Sequence, residues 1–449
     1  METVAAWVPH APFGWNPMWV ATIMLLIVYG VIIAERLNRA IVALLGALLM
    51  IAMGLLNQEE AIRGIDFNTI ALLTGMMVLV GIARRSGLFQ AVAIWAAQRA
   101  NATPWRLMII MSVTTALLSA LLDNVTTVLL IAPVMLAITK ELEVPPYPFL
   151  FTTIFASNIG GTATLIGDPP NILIGSLVGL TFNQFVVNLA PIILVVIAVQ
   201  ALINHLLWGR KMHAAPEARK RVMEMSVREA IMDRTLMIQS LTVMGGVILL
   251  FALARQIHLE PGTIALMGAA VLMLLDNYAH HSEEQSRRVA HTFNEVEWIT
   301  IFFFVGLFIV VHAVDYAGVL KLAANHLVQW TGGDRNITAY AILWSSAVLS
   351  SIVDNIPFVA TMIPLIKAMT TTLGGPVAIV PVWWALSLGA CLGGNGTLIG
   401  ASANLTVAGF GDRNGVPFRF LTYMKYAFPM MLIHIAICHV YLWLRYLSK

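Results

Sequence analysis

Apolar segments of about 20 residues recur along the whole chain, and this recurrence constrains the fold more than any other feature. A helix rises about 1.5 Å per residue, so about 20 apolar residues cross about 30 Å of hydrocarbon. Eight segments are predicted to span a membrane: 18-35, 39-56, 67-84, 189-208, 236-255, 262-276, 298-315 and 426-445. Only 11% of the 449 residues are charged, against about 25% in a soluble domain. This composition excludes a soluble globular enzyme.

Charge and cysteine content narrow the function further. The formal net charge is only +3, and no Lys/Arg-rich block with interleaved aromatic residues is present, so nucleic acid is excluded as a partner. Cys391 and Cys438 lie in apolar stretches without metal-ligand spacing, which predicts neither a disulfide framework nor a metal site. No cofactor is predicted. The first 17 residues lack the basic start of a cleaved signal peptide and are expected to be retained.

A hydrophilic linker, residues 209-234, separates two halves that repeat each other. Asp123-Asn124 recurs as Asp354-Asn355, and Thr164-Leu-Ile-Gly recurs as Thr397-Leu-Ile-Gly. The predicted repeats are residues 1-208 and 235-449. A long repeat carried by polar motifs inside apolar segments is typical of secondary transporters. Residues 88-99 and 319-329 are predicted to be paired interfacial helices.

The distribution of basic residues predicts the orientation. An odd number of crossings in the first half would invert the second half relative to the first. With both termini outside and ten crossings, 19 of the 26 Lys and Arg residues lie on the inner side, as the positive-inside rule requires. The prediction is a multi-pass protein of the inner (plasma) membrane, with N- and C-termini outside and a cytoplasmic linker.

Two polar interruptions, at 123-127 and 354-357, are predicted to be the tips of re-entrant helical hairpins. Irregular backbone at membrane depth is tolerated only where protein or a watery cavity surrounds it, so such breaks indicate the site. The candidate substrate-binding residues at these tips are Asn124, Thr126, Thr127 and Asn355. The alternative is a polar turn that is merely buried or lies at a membrane surface.

Glycines and prolines break two further apolar segments, 157-171 and 391-404, and no continuous helix can pass through them. The ends of the resulting half-helices expose N-H and C=O groups that can hold an ion or a polar solute. The candidate binding residues are Asn158, Gly160, Gly161, Thr162, Thr164, Asn171, Cys391, Asn395, Gly396, Thr397, Ser402 and Asn404. The alternative is close helix packing through small residues.

Three carboxylates, Asp123, Asp168 and Asp354, fall at these breaks and are the candidate coupling-ion residues. A charge at membrane depth costs at least ~2.5 kcal/mol, so such a group should be paired, protonated or functional. Asp168 has no copy in the second half, where Ala401 takes its place. The alternative role for each acid is to cap a helix N-terminus.

In these motifs the chain resembles the ArsB/NhaD/P-protein permeases of the ion transporter superfamily. The segments that carry the resemblance are LDNVTTVLLIAPV (122-134), NIGGTATLIGDPPNI (158-172), VDNIPFVATMIP (353-364) and GGNGTLIGASAN (393-404). The resemblance implies an all-α protein that forms a homodimer and works by an elevator-like mechanism. It implies a scaffold domain, residues 18-100 and 235-330, and a transport domain, residues 101-208 and 331-449.

The resemblance implies three classes of substrate: arsenite or antimonite, sodium in exchange for protons and, among more distant relatives, citrate or dicarboxylates. No Lys or Arg falls in either broken segment and only Lys367 lies in a hairpin, which disfavours anions such as citrate or dicarboxylates. Uncharged arsenite or antimonite trihydroxide suits a lining of amides and hydroxyls, whereas one cysteine cannot build a three-sulfur cage. The prediction is a proton-coupled metalloid exporter, with a sodium/proton antiporter as the alternative. A soluble ATPase subunit on the linker is left open, and no enzymatic or Walker motif is present.

Overall fold

The computed structural model describes residues 7–448, and regular structure there is entirely helical. The first repeat contains ten α-helices: α1 (Pro17–Ile33), α2 (Arg39–Ala52), α3 (Gln58–Arg63), α4 (Phe67–Arg85), α5 (Leu88–Arg99), α6 (Pro104–Leu121), α7 (Asn124–Glu141), α8 (Tyr147–Gly161), α9 (Pro169–Val178) and α10 (Phe182–Leu207). Two short helices, α11 (Pro216–Met223) and α12 (Val227–Ala230), follow in the linker.

The second repeat has the same order of elements. Its α-helices are α13 (Arg234–Ile257), α14 (Pro261–Asn277), α15 (Ser282–Asn294), α16 (Trp298–Tyr316), α17 (Val319–Trp330), α18 (Arg335–Ile352), α19 (Asn355–Met369), α20 (Val380–Gly393), α21 (Ser402–Arg413) and α22 (Phe420–Leu442). The helices pair in sequence order, α1 with α13 through α10 with α22. The predicted repeat and the all-α fold class are therefore confirmed.

All eight predicted spans coincide with helices. Five of them are among the seven helices in residues 7–448 that are long and apolar enough to cross a membrane, whereas α1, α2 and α14 are shorter apolar helices. The other two of the seven, α6 and α7, form the first hairpin. Two helices begin earlier than predicted: α10 at Phe182 instead of 189, and α22 at Phe420 instead of 426. At α10 the reason is a capping box, in which Thr181 and Gln184 satisfy each other's backbone N-H groups. This polar first turn is helical but escapes a search for apolar residues.

The repeats interlock, because helices of one half pack on helices of the other. Helix α4 packs on α14. Helix α16, the repeat partner of α4, packs on α2. Glycines permit both approaches: a Cβ on Gly75 would lie 2.6 Å from the Ala265 carbonyl carbon, and one on Gly306 would lie 2.5 Å from that of Ala43. Each half therefore completes the core of the other.

Each helical hairpin packs on a broken helix of its own half. Helix α6 packs on α8, and α18 on α20. A Cβ on Gly160 would lie 2.2 Å from the Ala116 carbonyl oxygen, and one on Gly393 would lie 2.6 Å from that of Ala347. These contacts fix the hairpin tips beside the helix breaks.

The linker is bound to the helices beneath it. Arg221 contacts Glu141 and Glu143, which follow one another at the end of α7 and in the loop beyond it, at 3.3 and 2.6 Å. Its hydrogen bond to Glu143 raises the pKa of this exposed guanidinium. At the other end, the Met232 and Asp233 N-H groups both donate to the Ser86 carbonyl. The linker thus lies against α5 and α7.

Candidate functional site

Both predicted helix breaks are present, one between α8 and α9 and the other between α20 and α21. A buried asparagine donates hydrogen bonds to the backbone of each break. Asn171 Nδ2 donates to the Thr162 and Thr164 carbonyls at 3.1 and 2.9 Å. In the second half, Asn404 Nδ2 donates to the Gly394 and Thr397 carbonyls at 2.7 and 2.8 Å. Because a buried carbonyl without a partner is costly, each asparagine first stabilises its own irregular loop.

Hydroxyl groups hold each hairpin against its broken helix. In the first repeat-related pair of hydrogen bonds, Thr164 Oγ1 donates to the Ala120 carbonyl and Thr397 Oγ1 donates to the Ser351 carbonyl, both at 2.5 Å. In the second pair, Ser119 Oγ donates to the Ser157 carbonyl at 2.6 Å and Ser350 Oγ donates to the Ala390 carbonyl at 2.7 Å. The hydroxyl groups of two predicted binding residues, Thr164 and Thr397, therefore donate structural hydrogen bonds.

Four of the predicted asparagines meet in one buried group, the asparagine cluster: Asn124, Asn158, Asn395 and Asn404. Asn124 Nδ2 donates to Asn158 Oδ1 at 3.0 Å, and Asn158 Nδ2 donates to Asn395 Oδ1 and Asn404 Oδ1, both at 2.9 Å. Asn124 Oδ1 and Asn395 Nδ2 have no partner within residues 7–448. The cluster thus joins the first hairpin tip to both broken helices and retains one free acceptor and one free donor.

Asp168 differs from the other two acids. It occupies the N-cap position of α9 but makes no capping bond. Its side chain is fully buried, Oδ1 accepts from Asn355 Nδ2 at 3.4 Å, and Oδ2 has no partner in the described chain. The capping alternative therefore fails for this residue, and Asn355 of the second hairpin is placed beside it.

Asp123 and Asp354 do cap helices. Asp123 Oδ1 accepts from the Thr126 N-H at 2.8 Å, and the Thr126 hydroxyl bonds to Oδ2. Asp354 Oδ1 accepts from the Ile356 N-H at 3.0 Å. The Thr126 side chain is therefore engaged at the tip, whereas the buried Thr127 hydroxyl has no partner in the part of the chain that the structure describes.

Arg39, at the first turn of α2, reaches the second hairpin tip and was not predicted from the sequence. Its Nη1 lies 3.2 Å from Asp354 Oδ2 and also bonds to Ser402 Oγ, which in turn donates to Asp354 at 3.0 Å. A basic residue at a helix end is ordinarily a membrane-side anchor, so nothing in the sequence indicates this contact across 315 positions.

Two further predicted groups serve chiefly in packing or in bracing Asn171. Gly161 and Gly396 leave no room for a Cβ, which would lie 2.4 Å from the Gly167 oxygen and 2.8 Å from Ser351 Cβ. Cys391 Sγ lies 3.5 Å from Asn171 Oδ1, which also accepts from Ser387 Oγ at 2.6 Å. Ser387 was missed, although its position one helical turn before Cys391 is a usable signal.

Two clefts approach the tips from the surface. One has a volume of about 560 Å³, lies beside Arg84, Leu129 and Met232, and adjoins a smaller cavity of about 50 Å³ that Thr126 lines. The other, about 380 Å³, is lined by Arg39 and Asp354 among others. Within residues 7–448, no group of three or more His, Cys, Asp or Glu side chains is arranged to hold a metal ion.

Two repeats, each with a polar-tipped hairpin and a helix broken around a buried asparagine, define the architecture of a secondary transporter. The chain belongs to the citrate transporter (CitMHS) family, whose model matches residues 29–389. It is therefore a multi-pass membrane transporter of the ion transporter superfamily.

Known relatives agree with this assignment. An uncharacterized transporter of Mycobacterium tuberculosis is 41% identical over 432 residues, which is 95% of this chain and 98% of that protein. The P proteins of Sus scrofa and Homo sapiens are 32% identical over 504 residues, covering 94% of this chain and 59% of each P protein. The resemblance to P-protein-type permeases is confirmed.

Two solved structures share the fold. The YdaH transporter of Alcanivorax borkumensis has a TM-score of 0.61 at 16% identity, over 96% of this chain and 98% of that one. MtrF of Neisseria gonorrhoeae, described with a class of antimetabolite efflux pumps, has a TM-score of 0.56 at 10% identity, over 96% and 94%. At these identities the likeness concerns the fold alone.

Proposed function

We propose that the chain exports arsenite or antimonite as the neutral trihydroxide in exchange for protons, with the solute at the asparagine cluster and the proton on Asp168. The proposal rests on Asp168, a fully buried carboxylate that caps no helix and has one oxygen without a partner beside the second hairpin. A buried carboxylate of this kind is costly when charged, so a cycle that protonates and deprotonates it can be coupled to solute movement.

The composition of the cluster favours an uncharged solute. A trihydroxide both donates and accepts hydrogen bonds. Asn124 Oδ1 offers an acceptor, Asn395 Nδ2 a donor and Asp168 Oδ2 a further acceptor. Binding through a few neutral hydrogen bonds is weak, which favours release on the far side.

A polyvalent anion fits the same surroundings less well. The carboxylates at the breaks outnumber the nearby cations, and Arg39 is already paired with Asp354. Citrate, which the family's name specifies, would bring further negative charge to this region without a matched partner. Citrate is nevertheless the comparison substrate that any assay must include.

Sodium/proton antiport is the second candidate. Small hard cations take carboxylate and carbonyl oxygens as ligands. Asp168 Oδ2 and Asn124 Oδ1 are two such oxygens without partners in the described residues. In this alternative Asp168 would exchange a proton for the cation.

The transport cycle and assembly are part of the same proposal. We propose elevator-like alternating access in which residues 101-208 and 331-449 move against a homodimeric scaffold formed by residues 18-100 and 235-330. We propose that the linker lies on the cytoplasmic side and that both termini lie outside. No ATPase subunit is required, because a proton gradient supplies the energy.

The test is flux into proteoliposomes that contain only this chain. We expect an acid-inside pH gradient, in which protons leave the vesicles as solute enters, to drive arsenite or antimonite uptake, and citrate to be carried no faster than in empty vesicles. Sodium-dependent dequenching of a pH dye without arsenite flux would replace the proposal with the antiporter alternative. Citrate flux in the same vesicles would refute both.

A pair of variants separates chemistry from folding. Asp168→Asn is expected to abolish proton-coupled flux while retaining an isosteric side chain that still contacts Asn355. Asp334→Asn is the matched control, because this exposed acid caps α18 and asparagine caps equally well. Equal flux from the two variants would exclude Asp168 as the coupling group.

A further inference from the structure

The Arg39 guanidinium lies between two groups of helices. On one side, Nη2 bonds to Thr300 Oγ1 of α16 at 3.1 Å, and the guanidinium lies over the Phe303 ring at 5.1 Å. On the other side are Asp354, which caps α19, and Ser402 at the start of α21. Stacking on Phe303 fixes the guanidinium to α2 and α16, so the contact to Asp354 can break without displacing the arginine.

A second contact holds the same tip. The Tyr29 hydroxyl of α1 donates to the Pro357 carbonyl at 2.8 Å, across 328 positions. Helices α1, α2 and α16 all fall within the predicted scaffold, whereas α19 and α21 fall within the predicted transport domain. The two contacts therefore cross the boundary along which the proposed movement would occur.

The first hairpin tip, at Asp123, has no counterpart of the Arg39–Asp354 ion pair. A Cβ on Gly46 of α2 would lie 2.5 Å from Val28 of α1, and one on Gly268 of α14 would lie 2.3 Å from Val247 of α13, so the two glycines match and Arg39 aligns with Pro261. Proline carries no charge and cannot form the pair. Among residues 7–448, Asp123 makes no contact with a basic side chain.

We infer that Arg39 is a positioning residue of the transport cycle: its bonds to Asp354 and Ser402 hold the second hairpin tip in the conformation seen here, and they must break for the tip to move. The inference rests on the movement of the transport domain in the proposed function, but it holds for any substrate. Its test needs no substrate, so its failure is distinguishable from a failure of the arsenite proposal.

The test uses a thiol reporter on the purified, full-length chain. Cys391 and Cys438 are both buried, which keeps the labelling background low. Leu129→Cys places a thiol in the cleft of about 560 Å³ beside the first hairpin, remote in sequence from Arg39. The rate of modification by a bulky maleimide then reports how often this cleft is open.

In that background, we expect Arg39→Gln to lower the ratio of open to closed clefts about tenfold and so to slow labelling, because a charged hydrogen-bonded pair contributes enough to shift a two-state equilibrium by that factor. Arg39→Lys, which keeps the charge but loses the planar fork, should fall between. Combining Arg39→Asp with Asp354→Arg should restore much of the rate. Arg36→Gln is the matched control, since this exposed arginine lies three residues before Arg39 in the loop that leads into α2, and its rate should equal that of the parent.

Several outcomes would overturn the inference. These are an unchanged or faster rate in a monodisperse Arg39→Gln protein, an equal effect of Arg36→Gln, or no recovery in the charge-reversed pair. If Arg39→Gln does not fold, Asp354→Asn breaks the same pair from the other end and keeps the α19 cap. An unchanged labelling rate in that variant would contradict the inference equally.

Discussion

The two hairpin tips occupy matching positions in the repeat, yet they are held differently. The Asp123 tip is closed by its own Thr126, whereas the Asp354 tip is bound by Arg39, Ser402 and, through Pro357, by Tyr29. Glycines and hydroxyls that pack the backbone occur in pairs, one in each half. Arg39 and Asp168 have no charged counterpart in the other half, so the packing residues are duplicated whereas these two charged groups are not.

The largest expected effects test the shared packing. Gly160→Ala and Gly393→Ala each place a Cβ within 2.6 Å of a backbone oxygen, so each should cost about 3 kcal/mol or more of stability. The measurement is the yield of monodisperse protein and its thermal midpoint. Gly245→Ala is the control, because nothing lies within 4 Å of the added carbon. A tolerated change in only one half would break the proposed equivalence of the packing.

The next effect tests the unpaired acid. Asp168→Asn should lower proton-driven flux about tenfold or more, because the buried group could no longer carry a charge or exchange a proton. The repeat-related change Ala401→Asp, added to Asp168→Asn, should not restore flux, since a carboxylate there lacks the surroundings of Asp168. Restored flux would show that the two halves are chemically interchangeable.

A smaller effect compares the tips directly. Asp354→Asn removes a partly buried ion pair and should cost about 1–2 kcal/mol, whereas Asp123→Asn keeps its cap and should cost about 0.5 kcal/mol. Thermal unfolding of the two variants in the same detergent measures the difference. Equal losses would mean that Arg39 contributes nothing to holding the second tip.

The smallest effect concerns the second contact at that tip. Tyr29→Phe removes only the hydroxyl that donates to the Pro357 carbonyl and should cost about 1 kcal/mol or less. Tyr316→Phe is a suitable comparison, because its hydroxyl also donates to a backbone carbonyl, that of Trp7, away from both tips. A shift in Leu129→Cys labelling for Tyr29→Phe alone would sharpen the assignment of this contact to tip movement.

The repeat and the breaks could be predicted from the sequence because their signals are local. Asp123 and Asp354 follow the apolar helices α6 and α18 at equivalent positions of the two repeats. Glycines on either side of Thr164 and Thr397 mark the helix breaks. Each such signal lies within a few residues of the feature that it predicts. The asparagines at 124, 158, 395 and 404 could also be identified, since a polar amide inside an apolar segment needs a partner.

The partners themselves could not be predicted. Asn158 bonds to residues 34, 237 and 246 positions away, and Arg39 to one 315 positions away. A single sequence carries no signal for such distances. Arg39 reaches the second hairpin tip from outside both hairpins and both broken helices, so a count of cations within those segments does not include it.

The exchange of helices between the halves has a consequence for biogenesis. The Gly75 face of α4 is covered by α14, and the face of α2 at Ala43 is covered by Gly306 of α16, so the first half emerges from the ribosome with two close contact surfaces still uncovered. Neither surface can close until the second half has been synthesised and inserted. These contacts in the bilayer therefore form only after α14 and α16 have been inserted, and a chain truncated at the linker lacks both helices.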